Sequence, residues 1–302
     1  MKVLIDNVNL DSNSGPNGFA GKLLKPLENM GIDVSWKLDK NFLPDVQLSF
    51  IMSHYKFAPI VQRLDGIYFN SKQDFESLNS PIKATYLDAE SVIFQSNFNK
   101  TLTEKWFGKK ESSFVIHNGT PLDEIEAISP IKHQLTDSFE NVWCCASSWR
   151  PHKRLSENVR YFLEHSGEND CLIIAGENPD FKCEDPRVFY AGNLDWKTLI
   201  SLFKRSKYFI HLSWLDHCPN VVVDARAAGC HIVCSSAGGT SEICGSNSTV
   251  IKEDDWDFSP VELYSPPPMD FSKIVKSKKD IDISIERAAE EYASVIAGVF
   301  NK

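Results

Sequence analysis

Two aspartates eight positions apart sit in the run Ser213-Trp214-Leu215-Asp216-His217-Cys218-Pro219-Asn220-Val221-Val222-Val223-Asp224. A β-like apolar run ends at Leu212, Asp216 falls in the loop behind it, and Pro219 with Asn220 opens a helix carrying Asp224 in its first turns. Loop and helix can thus turn both carboxylates toward one polar ligand. Carboxylates accept hydrogen bonds from paired hydroxyls such as those of a sugar, and the helix start at Asn220 and Val221 offers N–H donors to an anion. The plainer reading is two exposed carboxylates capping a helix.

A cationic stretch lies upstream. Ala146-Ser147-Ser148-Trp149-Arg150-Pro151-His152-Lys153-Arg154 leaves one predicted strand and enters a helix. Cations there can hold a diphosphate and stabilise the charge that grows on it as a bond to it breaks. Without a ligand, Arg150, Lys153 and Arg154 would be a solvated helix start.

Small residues follow several strands. Ser14-Gly15-Pro16-Asn17-Gly18 opens the first helix, Ala175-Gly176-Glu177-Asn178 and Tyr190-Ala191-Gly192-Asn193-Leu194 leave later strands, and Gly238-Gly239-Thr240 follows another. Glycines and free backbone N–H groups permit close approach of a ligand, although ordinary βα turns are also rich in Gly, Pro and Asn. In the first half, His54, Arg63 and Asp65 follow or end strands and are candidates for a cleft wall that receives an acceptor. A purely structural Arg63–Asp65 ion pair explains two of them equally well.

Short apolar runs alternate with helical patterns throughout, which predicts parallel sheets with helices on both faces. The first unit should hold strands near residues 2–8, 32–36, 45–51, 59–64, 92–95 and 114–117, with a helix whose apolar positions are Phe19, Leu23, Leu24, Leu27 and Met30 and whose stop is Gly31. A polar stretch at about 125–140, with Pro130, reads as a linker. Strands near 142–146, 171–175, 187–190, 208–212 and 231–235 then alternate with helices near 154–164, 196–205 and 220–228. The expected organisation is α/β with two Rossmann-like domains, 1–134 and 135–283. An amphipathic helix from 284, with Ala288, Tyr292, Val295, Ile296 and Val299 on its apolar face, crosses back to the first domain.

The 302 residues suffice for two such cores, and 42% hydrophobic with 24% charged residues describes a globular chain. A net charge of -9 argues against a broad nucleic-acid surface. No apolar stretch approaches the roughly 18–20 residues of a membrane span, and the amino terminus reads as a strand rather than a secretory signal, so a cytoplasmic protein is expected, with peripheral membrane contact left open. The eight cysteines lack zinc-finger spacing and read as reduced core thiols.

The Asp216–Asp224 run with its Gly238-Gly239-Thr240 sequel resembles the donor-binding motif of retaining GT-B glycosyltransferases, family 4, in which two glutamates are separated by seven residues. Here both are aspartates, each one methylene shorter. The resemblance implies two Rossmann-like domains with a nucleotide diphosphate sugar bound between them, retention at the anomeric carbon, and no metal or cofactor beyond that co-substrate. It further implies that Asp224 holds the ribose, and that Asp216 with the Cys218–Val221 backbone touches the transferred sugar. The loops at Gly192, Leu194, Gly239 and Thr240 approach the nucleotide, as does Gly15. In the family an Arg and a Lys five residues later face the diphosphate; Lys153 matches the Lys, the Arg position falls on Ser148, and Arg150 takes its role. Val115-Ile116-His117-Asn118-Gly119-Thr120 resembles the end of the family's first domain. The acceptor, whether glycan, lipid-linked or small molecule, is not specified. Rival readings are a catalytically idle sugar-nucleotide-binding module and a GT-B epimerase or phosphorylase.

Overall fold

The computed structural model describes residues 1–302 other than Asn13, Leu38, Lys40, Lys278 and Lys279. The chain divides into two units: Met1–Pro121 with Phe258–Val261 and Asp282–Lys302, and Leu122–Asp257 with Glu262–Ile281.

In the first unit β1 (Lys2–Asp6) leads through α1 (Gly15–Asn29) to β2 (Asp33–Ser35), and β3 (Val46–Phe50) and β4 (Ile60–Leu64) follow. Then come α2 (Phe75–Asp88), β5 (Ser91–Phe94), α3 (Asn97–Phe107) and β6 (Ser113–Val115). The strands form one parallel sheet in the order β2-β1-β3-β4-β5-β6. Phe19, Leu23 and Leu27 of α1 are buried as their spacing requires, and Gly31 ends the turn at a φ of 78° that a side chain would resist.

Sequence periodicity missed α2 and α3. Proline stands inside α2 at Pro81, and α3 is rich in Asn, Thr and Lys, so neither shows a clear apolar stripe. Their starts are nonetheless encoded: Asp74 accepts from the Ser77 N–H and Ser96 from the Asn99 N–H, both at 3.1 Å.

The terminal helix, Ile285–Phe300, buries Ala288, Tyr292, Val295, Ile296 and Val299 in the core shared by α1, β1 and β3. Each of its large apolar side chains contributes roughly 1.5–3 kcal/mol, enough to fix the helix to this sheet. Its start is tied to Thr120, whose N–H donates to the Ile283 carbonyl (2.8 Å) and whose carbonyl accepts from the Ile285 N–H (3.0 Å). Phe258–Val261 returns to the same unit, where the Phe258 carbonyl accepts from the Trp106 indole (2.9 Å) and Val261 bonds to Phe69 and Ser71.

The second unit opens with α4 (Leu122–Ala127) and α5 (Gln134–Asp137), so the stretch expected to be a linker is folded. It is pinned to this unit because Ser201, Lys204 and Arg205 donate to the carbonyls of Ser129, Glu126 and Thr136. The boundary thus falls at Pro121/Leu122, not at 134/135.

Next come β7 (Asn141–Ala146), a 3-10 turn at Pro151–Lys153, α6 (Leu155–His165), β8 (Asp170–Ala175) and β9 (Val188–Gly192). The chain continues through α7 (Trp196–Arg205), β10 (Tyr208–His211), α8 (Asn220–Ala227), β11 (His231–Ser235), α9 (Thr240–Ile243), β12 (Ser248–Ile251) and β13 (Ile274–Val275). The sheet order is β13-β12-β11-β10-β7-β8-β9, parallel except for the β12–β13 edge pair.

The chain runs outward from β7 to β9 and then returns to β10 on the other side of β7, which makes β7/β10 the switch point. Loops leaving the carboxyl ends of strands at such a point diverge and leave room for a ligand. The register sets them level: Ala146 pairs with Ala175, and His211 with Cys234. Among the described residues no helix is long and apolar enough to cross a membrane.

Candidate functional site

At the carboxyl edge of the second sheet, the loop after β7 tightens into the 3-10 turn, with Pro151 pre-set for its first position and the Lys153 N–H donating to the Arg150 carbonyl (2.8 Å). Lys153 then reaches across the switch point, and its Nζ lies 2.5 Å from Asp216 Oδ2. Asp216 is placed by a sharp turn in which Leu215 adopts a left-handed φ of 56°. Its backbone is then tied to the glycine loop: the Gly239 N–H donates to the Asp216 carbonyl (2.7 Å), and a side chain at Gly238 would collide with the Asp216 backbone. Glycine at 238 is thus a close-approach requirement.

Three donors hold the Asp216 carboxylate. Besides Lys153, the His217 N–H donates to Oδ1 (2.9 Å), and His211 Nε2 lies 3.1 Å from Oδ2. Burial works against its charge, but the Lys153 ammonium and the His211 ring outweigh that penalty and hold its pKa well below the ordinary carboxylate range. Burial depresses the nearby histidines despite the carboxylate. His211 is lowered, His217 falls to about 4 and His152 to about 3, with Lys153 adding to the depression of all three. At neutral pH the site therefore holds neutral imidazoles around one ion pair.

The other cations divide. Arg150 is exposed, and its guanidinium makes no hydrogen bond or ion pair among the described residues, which leaves its charge available to a ligand. Arg154 is buried and forked onto Glu253 (2.9 and 2.8 Å), with the Pro267 carbonyl as a further acceptor (2.9 Å), so it braces the fold. Ser148 is exposed.

Asp224, on α8, is 4% exposed and accepts from the Trp196 indole N–H at 3.0 Å. Asn220 and Val221 are half-buried at the start of that helix. The β8 and β9 loops are stitched together: the Gly176 N–H donates to the Gly192 carbonyl (2.7 Å), and Asn193 donates to Glu177 (2.8 Å). A side chain at Gly176 would run into the Ser147 carbonyl, which forces glycine there. Gly192 is exposed, Leu194 half-buried, and Gly239 and Thr240 buried at the start of α9. Among the described residues no group of His, Cys, Asp or Glu is arranged to hold a metal ion.

In the first unit Gly15 is the exposed first residue of α1, and His54 is exposed after β3. Arg63, expected at a cleft wall, has no exposed surface. Its guanidinium lies against the rings of Phe19 and Phe50 and bonds to Asp65, Asn118 (2.9 Å) and the Tyr292 hydroxyl (3.1 Å). An arginine spent in this way cannot touch an acceptor, and it acts as a brace that sets Asp65. His211 and Trp196 escaped sequence reading because their meaning lies in long-range contacts that no local motif carries.

Residues 137–258 match the family model described as glycosyl transferases group 1. The similarity to this family is confined to that segment. Lys153, Arg150, Asp216, Asp224, Gly192, Leu194, Gly239 and Thr240 all belong to it, whereas Gly15, His54, Arg63 and Asp65 lie outside. Similarity to solved structures extends further and concerns the fold. The Anabaena protein HepE, solved with UDP and glucose, matches with a TM-score of 0.67 at 14% identity, over 99% of this chain and 100% of its own. Sucrose-phosphate synthase from Thermosynechococcus elongatus gives 0.67 at 12% identity, over 99% and 96%. The catalytic domain of Arabidopsis thaliana starch synthase IV, solved with ADP and acarbose, gives 0.67 at 11%, over 100% and 99%. The two parallel-dominated sheets are those of the GT-B class. A search of curated proteins finds no match.

Proposed function

We propose that this protein transfers a glycosyl group from a nucleoside diphosphate sugar to an acceptor, with retention at the anomeric carbon and without a metal ion. The observation that carries this reading is the Lys153–Asp216 ion pair, set beside the Gly238-Gly239 turn within the segment that matches the glycosyl transferases group 1 family. Lys153 and Arg150 face the diphosphate, Asp216 the transferred sugar, and Asp224 the ribose. The bond from the anomeric carbon to the diphosphate oxygen breaks, the acceptor oxygen bonds to that carbon, and the departing phosphate takes the acceptor proton. Negative charge grows on the leaving group, so cations aimed there favour the transition state over the ground state. Asn220, Val221, Gly192, Leu194, Gly239 and Thr240 line the donor, and His54 and Asp65 are the acceptor-side candidates.

HepE has been solved with UDP and glucose, and starch synthase IV with ADP. Sugars on UDP and ADP are therefore the first donors to offer. Release of nucleoside diphosphate from such a panel tests the reading: at least one donor should be turned over, and Lys153→Ala should abolish most of that turnover. A chain that binds UDP or ADP by calorimetry yet turns over no donor is instead a binding module, a reading favoured by Ser148 at the expected arginine position.

A further inference from the structure

The Asp216 carboxylate is gripped unevenly. Two oxygens offer about four acceptor positions. Oδ2 takes Lys153 Nζ at 2.5 Å and His211 Nε2 at 3.1 Å, which fills it, while Oδ1 takes the His217 N–H at 2.9 Å and retains one position. His211 is the last residue of β10 and is 4% exposed, so its ring is held by a rigid element rather than by a loop. A bare Nε2 lone pair facing a carboxylate oxygen at that distance would be repelled, so the contact requires the Nε2–H tautomer.

We propose that His211 is a positioning residue, whose Nε2–H locks Asp216 Oδ2 and thereby presents the open acceptor position on Oδ1 to a ligand hydroxyl. Lys153 alone would not achieve this. A lysine on a flexible stem supplies charge without direction, whereas a ring N–H on a strand fixes the rotation of the carboxylate. The assignment rests on the glycosyltransferase reading for its kinetic consequences only; the tautomer and the lock are properties of the chain alone.

The test uses the full chain and the variants His211→Leu, His211→Gln and Asp216→Asn, with His211→Leu also made in the Asp216→Asn background. Glutamine is the conservative choice because its amide N–H can occupy the place of Nε2. Two-bond 15N–1H correlation at pH 7 should show His211 as a neutral Nε2–H ring, and Asp216→Asn should move that signal. A ring protonated on Nδ1, or a signal indifferent to Asp216→Asn, overturns the proposal. With whichever UDP- or ADP-sugar is turned over, His211→Leu should lower kcat about tenfold, the worth of one charge-assisted hydrogen bond. Affinity for the matching nucleoside diphosphate should stay within about twofold, because that ligand lacks the sugar. His211→Gln should recover most of the loss, and His211→Leu should cost nothing further once Asp216 is Asn. Equal losses for Leu and Gln, or an undiminished loss in the Asp216→Asn background, mean packing and sink the idea. If the wild type turns over no donor, the glycosyltransferase reading falls, and the ring signal decides the positioning role by itself.

Discussion

Lys153 and Asp216 lie 63 residues apart in the chain and meet at 2.5 Å, each from a loop at the carboxyl edge of the same parallel sheet. One belongs to the strand on one side of the switch point and the other to its neighbour, so neither loop makes the site without the other. Lys153→Ala should lower kcat/KM by a factor equivalent to about 2–4 kcal/mol of transition-state stabilisation, the typical worth of one preorganised contact to developing charge. Arg150→Ala should cost less, because Arg150 is exposed and water screens its charge. Steady-state kinetics on folded variants check both, and near wild-type values for Lys153→Ala would remove it from the diphosphate.

Asp216→Asn should depress kcat more than it weakens nucleoside diphosphate binding, since the sugar that Asp216 is proposed to face is absent from that ligand. Asp216→Glu adds a methylene to a carboxylate already fitted to three donors, and reduced or altered donor preference is expected. Parallel calorimetry and turnover assays separate the two effects.

Asp224 and Trp196 should behave as a pair. Asp224→Asn removes the charge proposed to meet the ribose, and Trp196→Phe removes the indole N–H that fixes this carboxylate at 3.0 Å. Both should raise the Kd for UDP or ADP, the second by about tenfold or less. Titration that shows unchanged affinity for both variants would move the ribose elsewhere.

Acid should destabilise the protein well above the ordinary carboxylate range. In the fold His152 and His217 titrate near 3 and 4, whereas unfolded histidine titrates near 6.5, so below about pH 6.5 the unfolded chain takes up protons that the native chain refuses. The stabilisation present above pH 6.5 is thus lost as pH falls toward 4, by up to roughly 1.4 kcal/mol per pH unit for each histidine. Asp216, depressed below 3.8, adds its own loss only below that value. Thermal melts from pH 7.5 to 4.5 should show a falling Tm, and His217→Gln should flatten the slope. A flat profile in the wild type would contradict the burial of both rings.

Most of the second unit could be read directly. Helix α7 spans the expected residues, and α8 and β11 lie where the pattern of Asn220 to Ser235 put them, because burial on both faces makes such strands nearly continuous in apolar residues. The apolar face of the terminal helix was equally plain. Helices α2 and α3 were not, since Pro81 and the Asn- and Thr-rich surface of α3 blur the period, and the folded stretch of α4 and α5 passed for a linker because it packs through backbone carbonyls. Within the site, Asp216 and Lys153 stood out by type and spacing. Arg63 did not betray its burial, because its partners Asn118 and Tyr292 lie 55 and 229 residues away.

The docking of the terminal helix on α1, β1 and β3 also orders events in time. During synthesis the first sheet emerges early, yet Phe19, Leu23 and Leu27 keep their apolar cover only once Tyr292, Ile296 and Val299 have left the ribosome. The half of the protein made first is therefore the half finished last, and a message truncated anywhere before residue 285 yields a nascent chain with that core open to chaperones and proteases.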